Sequence, residues 1–266
     1  MRPISPRHVL AVLLTGVVVL ASASLAGQVS RFFLGHDYVK GLVPLFFVDE
    51  EANVPTWYAS MLLFTCSLLL ASIAVRRRRT GDPFARHWTA LAVGFLVMSI
   101  DEAAAMHELL NGPLREAFAL DGAFYYSWVV AGIALAAVVG VAYLPFLAQL
   151  PARWRRLFVV AGALYLGGSL GMEMVGSARA DAHGVADFTY TMLALGEETL
   201  EMLGASLFIY ALLTYIAAMW GGFRVTLAIG GVEAGRADGV AGAPPHPAPG
   251  SATGDRSARG AGGAAC

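Results

Sequence analysis

The chain has 266 residues, of which 57% are hydrophobic and 14% charged, with a formal net charge of -1. A soluble domain carries about 25% charged residues, so the composition excludes an ordinary soluble protein and points to a membrane class. The near-zero charge gives no footprint for nucleic acid, and two cysteines, Cys66 and Cys266, exclude a disulfide framework and a cysteine zinc site.

In chain order, six apolar runs are long enough to cross a hydrocarbon core of ~30 Å: 9–27, 57–75, 88–110, 124–147, 157–176 and 190–220. Backbone inside a bilayer must satisfy its own hydrogen bonds, so each run is expected to be a helix. The fold class is therefore all-α, a polytopic transmembrane bundle of about six helices. Arg2 and Arg7 precede the first run, and Ala21-Ser22-Ala23 resembles a cleavage site. The run exceeds a usual signal core, and it reads as a retained helix. The apolar segment 31–48 is too short to span and reads as a helix or hairpin on the surface.

Asn53-Val54-Pro55-Thr56 opens the second helix, with the proline tolerated in a first turn. Asn111-Gly112-Pro113 is expected to end the third, glycine supplying a left-handed cap. Trp57, Tyr58, Tyr125, Tyr126 and Trp128 mark one aromatic belt, and Trp88, Trp154 and Trp220 the other. From 226 to 266 the chain turns to Ala, Gly, Pro and Ser and reads as a disordered tail after a 1–225 bundle.

Basic residues sort by side: 14 of the 18 fall on one side, and only Arg31, Lys40, Arg115 and Arg179 on the other. The positive-inside rule then puts both termini in the cytoplasm of an inner, plasma membrane.

The informative residues are acids inside the spans. Helix rise of ~1.5 Å per residue puts Asp101, Glu173 and Glu201 at roughly 20, 24 and 28 Å from the arginine-rich edge, a similar depth on three helices. Ionisable groups at such depth face a bundle interior or a cavity. On one straight third helix Asp101 and Glu108 share a face, and His107 lies off it. Small residues flank the acids, Gly167, Gly168 and Gly171 on the fifth helix and Gly196 and Gly204 on the sixth, and Gly167 and Gly171 form a small-xxx-small pair for close packing. Helices three, five and six are thus expected to enclose a polar pocket. Its candidate ligands for a divalent metal ion are Asp101, His107, Glu108, Glu173, Glu197 and Glu201, mostly hard oxygen donors. Glu102, Glu108 and Glu198 read equally as rim charges or caps. Such a site could activate water against a lipid or periplasmic small molecule as a metal-dependent hydrolase. The alternatives are a transporter or proton-coupled carrier using the same carboxylates, and a scaffold in which they serve helix association.

Three stretches, EANVPTWY at 51–58, SIDEAAAMHE at 99–108 and EETLEMLG at 197–204, resemble a group of uncharacterised bacterial multi-pass membrane proteins. The resemblance covers most of residues 45–215 and implies a membrane bundle without naming a substrate. Ser99, Asp101 and His107 are also similar in type to the serine, aspartate and histidine of the membrane hydrolases that include alkaline ceramidases. The paired histidines on a late helix that complete the zinc site of that superfamily have no counterpart in this chain.

Overall fold

The computed structural model describes residues 5–221, and all regular structure among them is helical. The tail expected at 226–266 lies outside the described residues. Helix α1 spans Pro6–Leu34, opened by Ser5, whose side chain accepts from the His8 amide, and closed by Gly35 in the left-handed region. A short helix α2 (Leu42–Phe46) follows. It folds back on α1, where Val48 N–H donates to Ser24 Oγ at 3.3 Å.

Helix α3 (Val54–Arg79) starts as its sequence implies: Asn53 Oδ1 accepts from the Thr56 amide at 3.1 Å, with Pro55 in the first turn. It runs beside α4 (Ala85–Ala104) as a hairpin. Two serines lock the pair. Ser60 Oγ donates to Ser99 O at 2.8 Å, and Ser99 Oγ returns to Ser60 O at 2.9 Å. Interhelical bonds of this kind are worth ~0.6 kcal/mol each in a bilayer, up to ~1.7.

The straight third helix expected over 88–110 is broken. Helix α4 stops at Ala104, Ala105 takes a left-handed φ of 47°, and the chain turns by 79° into His107–Phe118. The cause is local: Asp101 Oδ1 accepts from the His107 backbone N–H at 2.8 Å and so terminates the ladder from within. Asn111-Gly112-Pro113 does not end a helix. It begins α5 (Asn111–Phe118), and Gly112 is not among the left-handed glycines.

Helix α6 (Trp128–Ala142) and α7 (Leu144–Gln149) divide the fourth run just ahead of Pro145. Helix α8 (Ala152–Leu166) passes without a break through a π-helical turn, Gly167–Met172, into α9 (Glu173–His183). Helix α10 (Phe188–Trp220) is the longest, and it packs against α1, α3, α8, α9 and the π turn. Among the described residues four helices, with α8, the π turn and α9 taken as one, are long and apolar enough to cross a membrane. The bent pair makes a fifth, and α6 is a shorter apolar helix of 15 residues.

The densest packing lies at the arginine-rich end, where Trp88, Phe146, Tyr215, Leu70, Ile73 and Leu212 are almost wholly buried. Trp88 and Trp154 are therefore core residues and not the belt anchors expected of them. Arg77 reaches Asp82 at 2.9 Å and also the Tyr215 hydroxyl.

A carboxylate-lined cavity as the candidate functional site

The packing then opens, from Leu91 and Phe146 near the arginine-rich end to Asp101 and Glu173 at the other. A cavity of ≈ 810 Å³ lies among α4, α6, α8 and α10. Its walls are mostly apolar, from Leu91 and Phe95 through Val139, Phe158 and Gly162. Its acid end carries six carboxyl groups (Asp101, Glu102, Glu173, Glu197, Glu198 and Glu201) and one imidazole, His107. No lysine or arginine is among the residues that line it.

The break in α4 assembles the first part. With the chain turned back at Ala105, His107 Nδ1 lies 3.0 Å from Asp101 Oδ2, while the other carboxylate oxygen holds the His107 amide. Asp101 thus fixes the orientation of the ring and leaves Nε2 free of that pair. The ring sits 4.6 Å from the Trp128 ring at a tilt of 58°. Trp128 Nε1–H donates to Glu173 Oε1 at 3.0 Å. Trp128 is a site residue, not only the interfacial anchor expected from its position.

Glu173 begins α9 directly after the π turn. A π turn inserts one residue into the helical phase, and such turns recur at functional sites. Here it aims Glu173 across at α10, where its carboxyl lies within hydrogen-bonding reach of Glu197. Two carboxyl groups at that range require a shared proton or a cation between them, because two bare charges repel strongly at low dielectric. One turn along α10, Glu201 is in the same relation to the Tyr165 hydroxyl. Glu102 and Glu198 complete the ring with no hydrogen-bond partner on any neighbouring side chain among the described residues.

Two glycines allow this proximity, and they are not the expected pair. A Cβ at Gly168 would sit 2.7 Å from Glu197 O and 2.8 Å from Glu201 Cγ, and one at Gly204 would sit 2.7 Å from the Tyr165 backbone N. At Gly167 and Gly171 a Cβ would meet nothing within 4 Å.

Of the six residues expected to act together, Asp101, His107, Glu173, Glu197 and Glu201 line the cavity. Glu108 does not. It lies past the bend on the exposed side of the turn His107–Leu110, close enough to influence His107 and Glu173 electrostatically. Glu102 and Glu198, also read from the sequence as rim charges, line the cavity too. Two of the arginines on the acid side are engaged elsewhere. Arg179 pairs with Asp187 at 2.7 Å. Arg115 lies 3.9 Å over the Tyr125 ring and donates to the Tyr125 carbonyl. Ser99 is bonded to α3 and does not line the cavity. Among the described residues, no three His, Cys, Asp or Glu side chains are gathered closely enough to hold a metal ion as they stand.

No curated protein and no solved structure matches the chain. The protein-family model described as Domain of unknown function (DUF8692) matches residues 10–216, a range that takes in every residue of the cavity, and the chain belongs to that family.

Proposed function

We propose that this protein is a membrane-embedded binding protein for an amphipathic molecule with a positively charged end. The carboxylate ring receives the charge, and the apolar walls receive the rest. The carrying observation is the lining itself: six carboxyl groups, one imidazole and, among the described residues, no lysine or arginine at one end of an otherwise apolar cavity of ≈ 810 Å³. Burying that many acids is tolerable only with protons or a cation. An amphiphile that brings its own cation satisfies both halves of the lining at once.

An organic ammonium group suits the ring better than a divalent metal. Metal ligands must converge within one coordination sphere, and the acids are instead spread around the cavity end, with no three gathered closely enough for an ion. Hydrolysis is supported less than binding. Asp101 and His107 form an oriented base, yet neither Ser99, bonded to Ser60, nor Ser169, which donates to Tyr165 O at 3.1 Å, is paired with it. The positive-inside rule further places the arginine-rich end in the cytoplasm and the carboxylate ring at the outer side of the plasma membrane.

The test is thermal unfolding in nanodiscs of zwitterionic lipid, with three additions: a long-chain alkylammonium, its anionic sulfate counterpart, and a divalent cation with and without chelator. Mass action predicts stabilisation by the ammonium alone, reduced in Glu198→Gln. Equal stabilisation by the anionic compound, or none by either cation, sinks the reading. Stabilisation by the divalent ion alone, reversed by chelator, replaces the ammonium with a metal.

A further inference from the structure

We infer that the cavity has a side entrance in the membrane plane, between α6 and α8, and that the occupant entering there is the hydrocarbon chain of a lipid-like amphiphile. This rests on reading the cavity as a ligand site, and it specifies the ligand class and its route.

Helix α6 is the most weakly packed of the cavity walls. Its principal contacts are at the turns His107–Leu110 and Gly122–Phe124, the π turn and α7, so it is held mainly near its ends. The burial pattern agrees. Val129, at the start of α6, and Phe146, on α7 just past its end, are 0% exposed, while Leu135, midway along α6 and lining the cavity, is 65% exposed. Leu135 therefore lies where no other side chain covers the cavity wall. Opposite it on α8, Val159 and Leu166 also line the cavity and are also largely exposed. On α4, by contrast, Leu91, Phe95 and Met98 line the cavity and are partly buried. The opening therefore lies on the α8 side of α6.

The chemistry of the opening selects the occupant. Leu135, Val139, Val159, Ala163 and Leu166 border it without a polar atom on any side chain. They lie along stretches that face hydrocarbon, so water and ions have no reason to use this route. Size fits too. From Leu91 at the apolar floor to Asp101 in the ring is ten residues of α4, or ~15 Å. That is the depth of one leaflet in a core of ~30 Å. A chain from the outer leaflet can lie in the cavity with its head at the ring. Small residues keep the passage clear: a Cβ at Gly140 or Gly162, which both line it, would meet nothing within 4 Å.

The experiment reads chain entry directly. A bimane label is placed at Ala136→Cys, inside the cavity, or at Val138→Cys, on the exposed face of α6. Cys266→Ser is added, and Cys66 is fully buried and protected from the reagent. Nanodiscs are made with phosphatidylcholine bearing brominated acyl chains, which quench the label on contact. Both positions should be quenched. Ala163→Phe, narrowing the entrance from α8, should remove most of the quenching at 136 and none at 138. Leu135→Phe narrows it from the α6 side and serves if the first variant misfolds. An unquenched label at 136 beside a quenched one at 138 overturns the proposal, as does quenching at 136 that survives both phenylalanines. Phosphatidylcholine entry with no preference for alkylammonium would sink the charge reading and leave the entrance standing. Alkylammonium binding without bromine quenching would do the reverse.

Discussion

At the residue scale, Gly168 and Gly167 sit in different surroundings: the π turn shifts the helical phase by a residue and brings Gly168, not the Gly167/Gly171 pair, against α10. The distinction is measurable. Gly168→Ala drives a methyl into the Glu197 carbonyl and Glu201 Cγ, and overpacking of this kind costs ~1–3 kcal/mol. Gly167→Ala meets nothing and should be neutral or slightly stabilising, glycine being a poor helix former. Unfolding midpoints of the two variants should split accordingly, and equal midpoints would deny the close approach. A second residue sets a pH response away from the cavity. The Arg179 guanidinium, with the Tyr190 amide, holds the Asp187 carboxyl at about 2, down from its ordinary 3.8. A depressed pKa contributes stability that is full above the unfolded value and is lost as pH falls through the folded one. Unfolding midpoints should therefore decline between about pH 4 and pH 2 through this group. Asp187→Asn keeps a cap on α10 but drops the ion pair, so the decline should flatten, and an unchanged slope would mean that the pair carries no linkage.

At the element scale, interruptions build the site more than regular helices do. The count of six spans is only approximate, α6 being short and the third span bent. The helical character and order of the apolar runs were readable because the bilayer enforces helix on each, and Asp101, Glu173, Glu197 and Glu201 because an acid deep in an apolar run is costly wherever it points. The break at Ala105 was not, because nothing in SIDEAAAMHE announces it. Alanine is the best helix former, and the carboxylate that stops the helix does so by capturing an amide six residues on. Only that break lets Asp101 and His107 meet. Left-handed backbone costs a non-glycine residue ~1–2 kcal/mol, and more for a β-branched one. Ala105→Val should therefore destabilise the bend by at least that range, while Ala105→Gly should be tolerated. Histidine resonances in a nitrogen-labelled sample would report the outcome, since loss of the Asp101 contact changes the Nδ1 environment of His107. Identical His107 signals in wild type and Ala105→Val would show that the bend does not depend on this residue.

At the scale of the whole molecule, two ends with opposite chemistry share one bundle. At one end, Arg76–Arg79 close α3 and Arg86 opens α4, while Arg153, Arg155 and Arg156 open α8 beside the tight aromatic core. At the other, the acids and His107 surround a cavity, and no lysine or arginine lines it among the described residues. This separation makes the orientation testable from a few junctions. If the arginine end is cytoplasmic, reporter fusions after Arg79 and Arg156 should read as inside, and those near Asn111 and His183 as outside. The two pairs test different parts of the argument. Arg79 and Arg156 follow the arginine bias alone, the determinant that fixes orientation. Asn111 sits beyond the bend in the third span, in a segment turned by 79° from α4. It reports outside only if the bent pair crosses once and does not return as a re-entrant loop. An inside signal at Asn111 with an outside signal at His183 would make that segment re-entrant and, with Arg156 inside, leave α6 without a crossing of its own. The carboxylate ring would then have no common outer face, and the side entrance would have to be reached from the inner leaflet.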